Sequence, residues 1–380
     1  MVYVTTRRRP SNHQMTLDEF LDPSYVWHPG SEDKTITYTQ KYESLPWRLF
    51  NECPVGWYID QLRGFNTAFA SLRDVDRSTL YKTFWRPKKS GHGMRRIDAP
   101  VPELSSALTV LKNLLEGPFH GLNHTCAFAY TKGRCHVDAV RRHQANKSMW
   151  FASFDLHNFF GSTTLDFVMH QLAIVYPFSE VIKYKQGEEE LRKALELGFL
   201  NGGLPQGTPL SPTLTNLMMV PVDFELSKTL RTKYPGKNFV YTRYADDFDI
   251  SSRHTFSVDE IQNTILDVLR SFGAPFEPNK EKTHYGSRNG RNWMLGVMLN
   301  ADNNITIGHK KKDNFRASLT NFANSYKSGT PWSKEEIQYV LGLYSYYLMV
   351  EEKAINGIVE YVNKKVGIDT IKTMKSMLNP

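Results

Sequence analysis

Asp246 and Asp247 stand side by side in FVYTRYADDFDISS, residues 239–252, a run otherwise rich in Val, Tyr, Phe and Ile. Adjacent strand residues point to opposite faces, so the pair fits a hairpin turn, where both can project toward one place. Asp155 ends another Phe-rich strand, FASFDLHNFF, 91 residues upstream of Asp246. If the two strand ends converge, three carboxylates meet, and like charges in one pocket repel unless a cation neutralises them. Hard oxygen ligands suit Mg²⁺. Two such ions about 4 Å apart can activate an attacking hydroxyl and stabilise a leaving phosphate in an in-line displacement. Alone, Tyr-x-Asp-Asp arises by chance in about one chain of this length in twenty, and a solvated turn is the plain alternative.

The company of these residues gives them weight. Between them lies NGGLPQGTPLSPTLTNLMM, residues 201–219. Gly202, Gly203 and Gly207 let a backbone approach a ligand closely. Ser211 followed by Pro212 reads as a helix N-cap and first helical residue. An ordinary Gly/Pro loop before a helix does not account for the order of Asp strand, LPQG and Tyr-x-Asp-Asp hairpin.

The elements that must position these groups follow from periodicity. Residues 149–156 read as a buried strand and 164–176 as a helix. Residues 239–244 and 248–252 read as two strands joined by a tight turn. Residues 258–272 read as a helix with Ile261, Ile265, Leu266 and Leu269 on one face. The last 80 residues are mainly helical, with Ile337, Val340, Leu341, Tyr344 and Leu348 on one stripe and Gly329, Gly357 and Gly367 as punctuation. Residues 1–46 are polar and Pro-containing and read as an extension. There is no internal repeat.

Bulk properties set the bounds. The 380 residues carry 47 Lys+Arg against 39 Asp+Glu, a net charge of +8, which weakly favours a polyanionic partner. No apolar run reaches the ~18 residues of a membrane span, and the N-terminus lacks a signal-peptide core. Three scattered cysteines, Cys53, Cys126 and Cys135, make no disulfide framework and fit a reducing cytosol. His124, Cys126, Cys135 and His136 invite a zinc reading. Their spacing is not that of Cys-x-x-Cys knuckles, and packed cysteines with a polar His rim are the better expectation.

In order along the chain, FASFDLHNFF, GGLPQGTPLSPTLTN, YTRYADDFDIS, NKEKT and WMLGVMLN resemble the motifs of a reverse transcriptase. FWRPKKSGHGMRRIDAP (84–100) resembles the fingers hairpin of that family, and AFAYTKGRCHVDAVRRH (127–143) its template-contacting segment. The resemblance covers about residues 80–380 and is strongest to short bacterial retron-like and defence-associated enzymes. It implies an α+β right-hand polymerase: residues 47–148 as fingers with part of the palm, 149–300 as an antiparallel-sheet palm, and 301–380 as a helical thumb. It implies RNA-directed DNA synthesis by two-metal nucleotidyl transfer with two Mg²⁺, for which Mn²⁺ can substitute.

The resemblance carries over residue by residue. Asp155, Asp246 and Asp247 match the catalytic, metal-holding carboxylates, and the Leu156 carbonyl completes the metal shell. Lys88 and Arg95 match the fingers cations that grip the triphosphate, and a turn between two strands would bring both onto one phosphate tail. Asn158 and Gln206 match nucleotide contacts. Phe160 matches the bulky position that excludes a ribose 2′-hydroxyl, with a core aromatic as the alternative. Lys282 matches the lysine near the departing pyrophosphate. Met294, Leu295 and Gly296 match the primer grip.

Implied partners are an RNA template, with a dedicated non-coding RNA as one candidate, the DNA product and dNTPs. An effector protein or a second copy of the chain is a further candidate, with no membrane and a cytoplasmic setting. Two segments depart from retron enzymes: Ala139, Val140 and His143 stand where Asn-Ala-x-x-His is usual, and Met294-Leu295-Gly296 where Val-Thr-Gly is usual. These departures favour a related defence or orphan enzyme over one making branched RNA-DNA. The 84 residues after Gly296 leave no room for both a thumb and an RNase H domain. The basic runs 308–316 and 363–375 are candidate duplex contacts, with Tyr344, Tyr346 and Tyr347 as stacking candidates and Tyr344 itself expected in the core; a solvated basic face is the ordinary alternative. Untemplated DNA synthesis and an RNA- or protein-binding scaffold are the alternative functions, and the three converging carboxylates count against the scaffold.

Overall fold

The computed structural model describes residues 55–87, 93–116, 122–290, 292–330 and 332–378; the expected extension 1–46, Cys53 and Lys88 lie outside them. The described residues form two compact units, 55–135 with 152–284, and 136–151 with 285–378.

In the first unit, β1 (Tyr81–Pro87) and β2 (Met94–Pro100) form an antiparallel hairpin running from Tyr81↔Pro100 to Pro87↔Met94. Most of its residues are exposed, Trp85 at 60%. A separate sheet combines β3 (Trp150–His157, in this unit from Ala152 onward), β4 (Val240–Tyr244), β5 (Asp247–Ser252) and β6 (Glu277–Pro278), in the order β4-β5-β3-β6. The β4/β5 and β3/β6 pairs are antiparallel. The sheet pairs and surrounding helices make the architecture α+β, as expected.

The helices follow from their apolar patterns. Val258–Ser271 buries Ile261, Ile265, Leu266 and Leu269, the stripe read from the sequence, and starts at Ser257, whose hydroxyl accepts the Glu260 N–H. Ser211–Lys233 is buried on nearly every side over Thr213–Phe224, as a core helix must be. Its start differs from expectation. Ser211 is its first residue and does not cap it. The Thr208 hydroxyl accepts the Ser211 N–H at 3.2 Å, while the Ser211 hydroxyl donates to the Pro205 carbonyl at 2.8 Å. The helix read over 164–176 spans Leu165–Leu172, shorter at its C-terminal end than expected, with Ala173 as its C-cap.

The second unit is mainly helical: His136–Ala145, His309–Lys327, Lys334–Val366 and Thr370–Leu378, with a short antiparallel pair Met298–Leu299 and Ile305–Thr306. Its core includes Phe315, Leu319, Phe322, Ile337, Val340 and Ile355. Lys334–Val366 opens on a Ser333/Glu336 capping box and closes on Gly367 in the left-handed region. Gly357 does not interrupt it. The break is at Glu351, with φ −148° and ψ 62°, whose carboxylate accepts the Thr306 hydroxyl at 2.8 Å and the Lys312 ammonium at 2.5 Å. Tyr347 is buried against Phe315 and therefore leaves the set of stacking candidates; Tyr344 and Tyr346 are half-buried. Lys311 and Lys312 are likewise tied within the chain, to the Gly296 carbonyl and to Glu351, which removes them as simple phosphate contacts.

Candidate active site

Asp155 lies near the end of β3 and is 6% exposed. The β4–β5 register pairs Tyr244 with Asp247, so Ala245 and Asp246 form the two-residue turn and Asp247 opens β5. This is the hairpin expected for the aspartate pair. Both aspartates are half-buried, so water stabilises their charges only in part.

These groups feel one another's charges. Desolvation raises the Asp246 pKa, helped by the charge of Asp155, while Lys282 and Arg95 pull it down. Asp247 is pushed up to about 8, first by desolvation, then by the charges of Asp249, Asp246 and Asp155. The Lys282 ammonium donates to both oxygens of Asp155, at 3.0 and 2.9 Å. Desolvation works against its proton, but that hydrogen bond and the three carboxylates outweigh it, and its pKa is raised. A cluster of carboxylates thus shares one field, with a single ammonium set directly on one of them. Among the described residues, no three His, Cys, Asp or Glu side chains are drawn together as ligands of one ion. The donor set nevertheless suits a hard divalent cation: burial first, and then the neighbouring carboxylate charges, raise the proton affinity of Asp246 and Asp247, and a cation offsets that repulsion.

The loop and turn beside the cluster are packed backbone to backbone. Asn158 follows β3 in the left-handed region, φ 48°, and is exposed. Phe160 is half-buried, its ring edge-on to Phe159 at 5.7 Å, and its carbonyl accepts the Leu204 N–H at 2.9 Å. A Cβ on Gly203 would stand 2.1 Å from the Gly161 carbonyl oxygen. The close approach at Gly203 is therefore to the chain's own turn. Gln206, half-exposed, accepts the Asp98 N–H on its carbonyl at 2.8 Å, tying this loop to β2. Leu156 is buried opposite Pro278 of β6.

Arg95 is exposed on β2, and its charge is felt at Asp246. It stands opposite Arg86 in the hairpin. Like charges directly opposed in a sheet are unfavourable, and a polyanion between them would relieve the repulsion. Met294, Leu295 and Gly296 lie in the second unit. Met294 and Val297 exchange both backbone hydrogen bonds around Leu295 and Gly296, at φ 51° and 85°, a turn with two left-handed residues. The Lys311 ammonium donates to the Gly296 carbonyl at 2.6 Å and lies 4.9 Å from the Trp293 ring centre.

Several residues here escaped the sequence reading. Asp249, two positions after Asp247 and so on the same face of β5, is buried, accepts the Ser153 hydroxyl and is pushed up to about 6, first by burial. The DFD spacing was the available signal. Arg243 and Asp223 form an ion pair whose side chains are 0% exposed. Breaking such a pair leaves an unpaired buried charge, at a cost of about 3–5 kcal/mol.

The family model for reverse transcriptase (RNA-dependent DNA polymerase) matches residues 87–339. The chain is 27% identical over 310 residues to the Retron Ec83 reverse transcriptase of Escherichia coli, covering 78% of this chain and 90% of that protein. It is 30% identical over 275 residues to the Retron Mx65 reverse transcriptase of Myxococcus xanthus, covering 67% of this chain and 58% of that protein. It is 27% identical over 267 residues to the Retron Ec73 reverse transcriptase of Escherichia coli, covering 69% and 82%.

Proposed function

Because the chain belongs to the reverse transcriptase family, an RNA-directed DNA polymerase family with the right-hand fold, we propose that it extends a primer on an RNA template at the cluster of Asp155, Asp246 and Asp247. The observation that carries this assignment is the field the three carboxylates share with Lys282. Asp155, Asp246, Asp247 and the Leu156 carbonyl would hold divalent ions, Mg²⁺ in our reading, with Mn²⁺ able to replace it. Bound there, such ions lower the pKa of the primer 3′-hydroxyl and offset charge on the triphosphate, so no side chain need act as general base.

The chain's own residues orient the reactants. Arg95, with Lys88, grips the triphosphate. Asn158 and Gln206 line the nucleotide, and Phe160 stands beside its sugar. Lys282 stays protonated and offsets charge on the departing pyrophosphate. Met294, Leu295 and Gly296 hold the primer strand. In this reading residues 47–148 act as fingers, 149–300 as palm and 301–380 as thumb. The retron reverse transcriptase relatives support a retron-like setting. To this our reading adds a dedicated RNA as template, an effector protein or second copy as partner, and a role in antiviral defence in the cytoplasm. Among the described residues no helix is long and apolar enough to cross a membrane.

The test is extension of a primed RNA by dNTPs, with the product sequenced and the RNA omitted in a parallel reaction. Product complementary to the RNA, and lost without it, is expected; product of unrelated sequence made in its absence overturns templated synthesis.

Two further results are expected. Arg95→Ala raises the KM for dNTP about tenfold, the loss of one charge-assisted contact, with RNA retention little changed. Collapse of RNA binding with the dNTP KM intact would make Arg95 a template contact instead. The second concerns pH. The ordinary value for Asp247 is 3.8 and its folded value about 8, so between these the folded protein holds a proton that the unfolded chain has lost. Without divalent ions, stability contributed by that proton is full below about pH 4 and lost as pH rises through about 8. An ion that displaces the proton binds better as pH rises. Mg²⁺ should therefore raise the Tm more at about pH 8.5 than at about pH 5.5. Equal shifts at both would exclude Asp247 from the ion site.

A further inference from the structure

The Arg243 guanidinium reaches four acceptor atoms. Nε donates to Asp223 Oδ1 at 2.8 Å and Oδ2 at 3.1 Å, and Nη2 donates to Asp223 Oδ2 at 2.8 Å. Nη1 donates to Asn216 Oδ1 at 3.3 Å and to the Ala245 carbonyl at 3.1 Å. Asp223 also accepts the Tyr241 hydroxyl at 2.8 Å. Asp223 and Asn216 belong to the helix Ser211–Lys233, so the guanidinium joins the core helix to the turn that carries the aspartates.

We infer that Arg243 is a positioning residue that sets the Asp246–Asp247 turn by pinning the Ala245 carbonyl against a fixed anchor, Asp223. The inference rests on the polymerase reading of that turn.

Three observations favour positioning over bulk stability. A fully buried ion pair is weak evidence of stabilisation, because apolar residues of similar volume commonly do as well. The fork is shared: Asp223 takes two nitrogens and the third reaches the turn, a division a lysine cannot make. Ala245 has φ 60°, a costly region for an L residue that the two-residue hairpin imposes, and the Arg243 contact to its carbonyl helps to hold it there. The peptide plane then transmits the effect. In a trans peptide the carbonyl of Ala245 and the N–H of Asp246 point in opposite directions, so drawing the carbonyl inward turns the N–H outward. The chain from helix to turn is thus continuous: Asp223, Arg243, the Ala245 carbonyl, and the peptide that joins Ala245 to Asp246. Arg243 also fixes the neighbouring segment, its N–H donating to the Cys126 carbonyl at 2.8 Å and its carbonyl accepting the Phe128 N–H at 2.9 Å.

The test uses the full chain with Arg243→Lys, which keeps the buried charge but loses the fork. The half-saturating Mg²⁺ concentration is read twice, by primer extension and by thermal shift. Loss of a group that orients a metal ligand typically costs about tenfold to a hundredfold, and a rise of about tenfold is expected in both readouts, with the dNTP KM within about twofold. Glycine adopts φ 60° without enforcement, so Ala245→Gly in the Arg243→Lys background should recover at least about threefold of the loss. A purely structural ion pair gives no such recovery. Wild-type Mg²⁺ dependence in Arg243→Lys, or strict additivity with Ala245→Gly, overturns the inference. If Arg243→Lys does not fold, the apolar set Tyr241→Phe, Asp223→Leu and Arg243→Met replaces it, and wild-type Mg²⁺ dependence there overturns the inference equally. Should the wild type not extend primers while the thermal Mg²⁺ response still weakens in the variant, the polymerase reading falls and the positioning role stands.

Discussion

Asp246→Asn abolishes primer extension while leaving the fold intact. Changes to groups that merely orient metal ligands cost about tenfold to a hundredfold, so loss of a ligand charge should lower kcat by more than about a hundredfold. Stability should move the other way. In the ion-free protein the Asp246 carboxylate is held against desolvation and against the charge of Asp155, both of which raise its pKa. A neutral amide of the same shape removes both penalties. The Tm without divalent ions should therefore match or exceed that of the wild type, and Mg²⁺ should raise it less. Paired measurements of single-turnover extension and Tm, with and without Mg²⁺, decide the matter. Extension within about tenfold of wild type would remove Asp246 from the catalytic set.

Phe160→Ala admits ribonucleotides. Phe160 lies five residues past Asp155, in the short helix Phe159–Ser162, half-buried with its ring edge-on to Phe159. In the proposed site the ring stands beside the ribose, where a 2′-hydroxyl meets carbon and finds no hydrogen-bond partner. A polar group left unpaired costs about 1–3 kcal/mol, and 1.4 kcal/mol is a factor of ten, so the ring is worth roughly tenfold to a hundredfold in selectivity. Removing it opens space for the hydroxyl and a water. The ratio of kcat/KM for dNTP to that for rNTP, on one primed RNA, should fall by that factor. Full burial of a phenylalanine would make truncation cost about 3–5 kcal/mol, and half-burial brings the cost below this, so the variant should fold. An unchanged ratio in a folded variant would assign Phe160 to the core alone.

How much of this was legible in the sequence depended on distance along the chain. Patterns within one element read well. The Ile261, Ile265, Leu266 and Leu269 stripe is buried, and the aspartate pair sits at a two-residue hairpin, because helical and strand periods act on neighbours. Partners far apart did not read. Arg243 in VYTRY looks like an outward polar residue of a strand, yet the helix Ser211–Lys233 and the segment 126–128 enclose it, and its partner is 20 positions upstream. Lys282 was placed beside the site by resemblance, but nothing in NKEKT specifies a grip on both oxygens of Asp155. Composition misled at the helix break. Gly357 has the weaker helical propensity, but Glu351 has the competing partners, Thr306 and Lys312, that draw its backbone out of line. The basic run 308–316 misled in the same way, since charge along a chain says nothing of the carbonyl or carboxylate that waits for it.

The contact between Gly161 and Gly203 bears on how this enzyme could be altered. A Cβ at position 203 would lie 2.1 Å from the Gly161 carbonyl oxygen, and one at 161 would lie 2.6 Å from the Asn158 side chain. Backbone blocks position 203, whereas a side chain blocks position 161 and can swing aside. A randomised library over residues 158–162 and 202–207, selected for incorporation of unnatural sugars, should therefore return Gly203 almost without exception. It should accept Gly161→Ala chiefly where residue 158 has shrunk. Substrate range would be tuned through Phe160 and Asn158, on a surface whose underside tolerates no change.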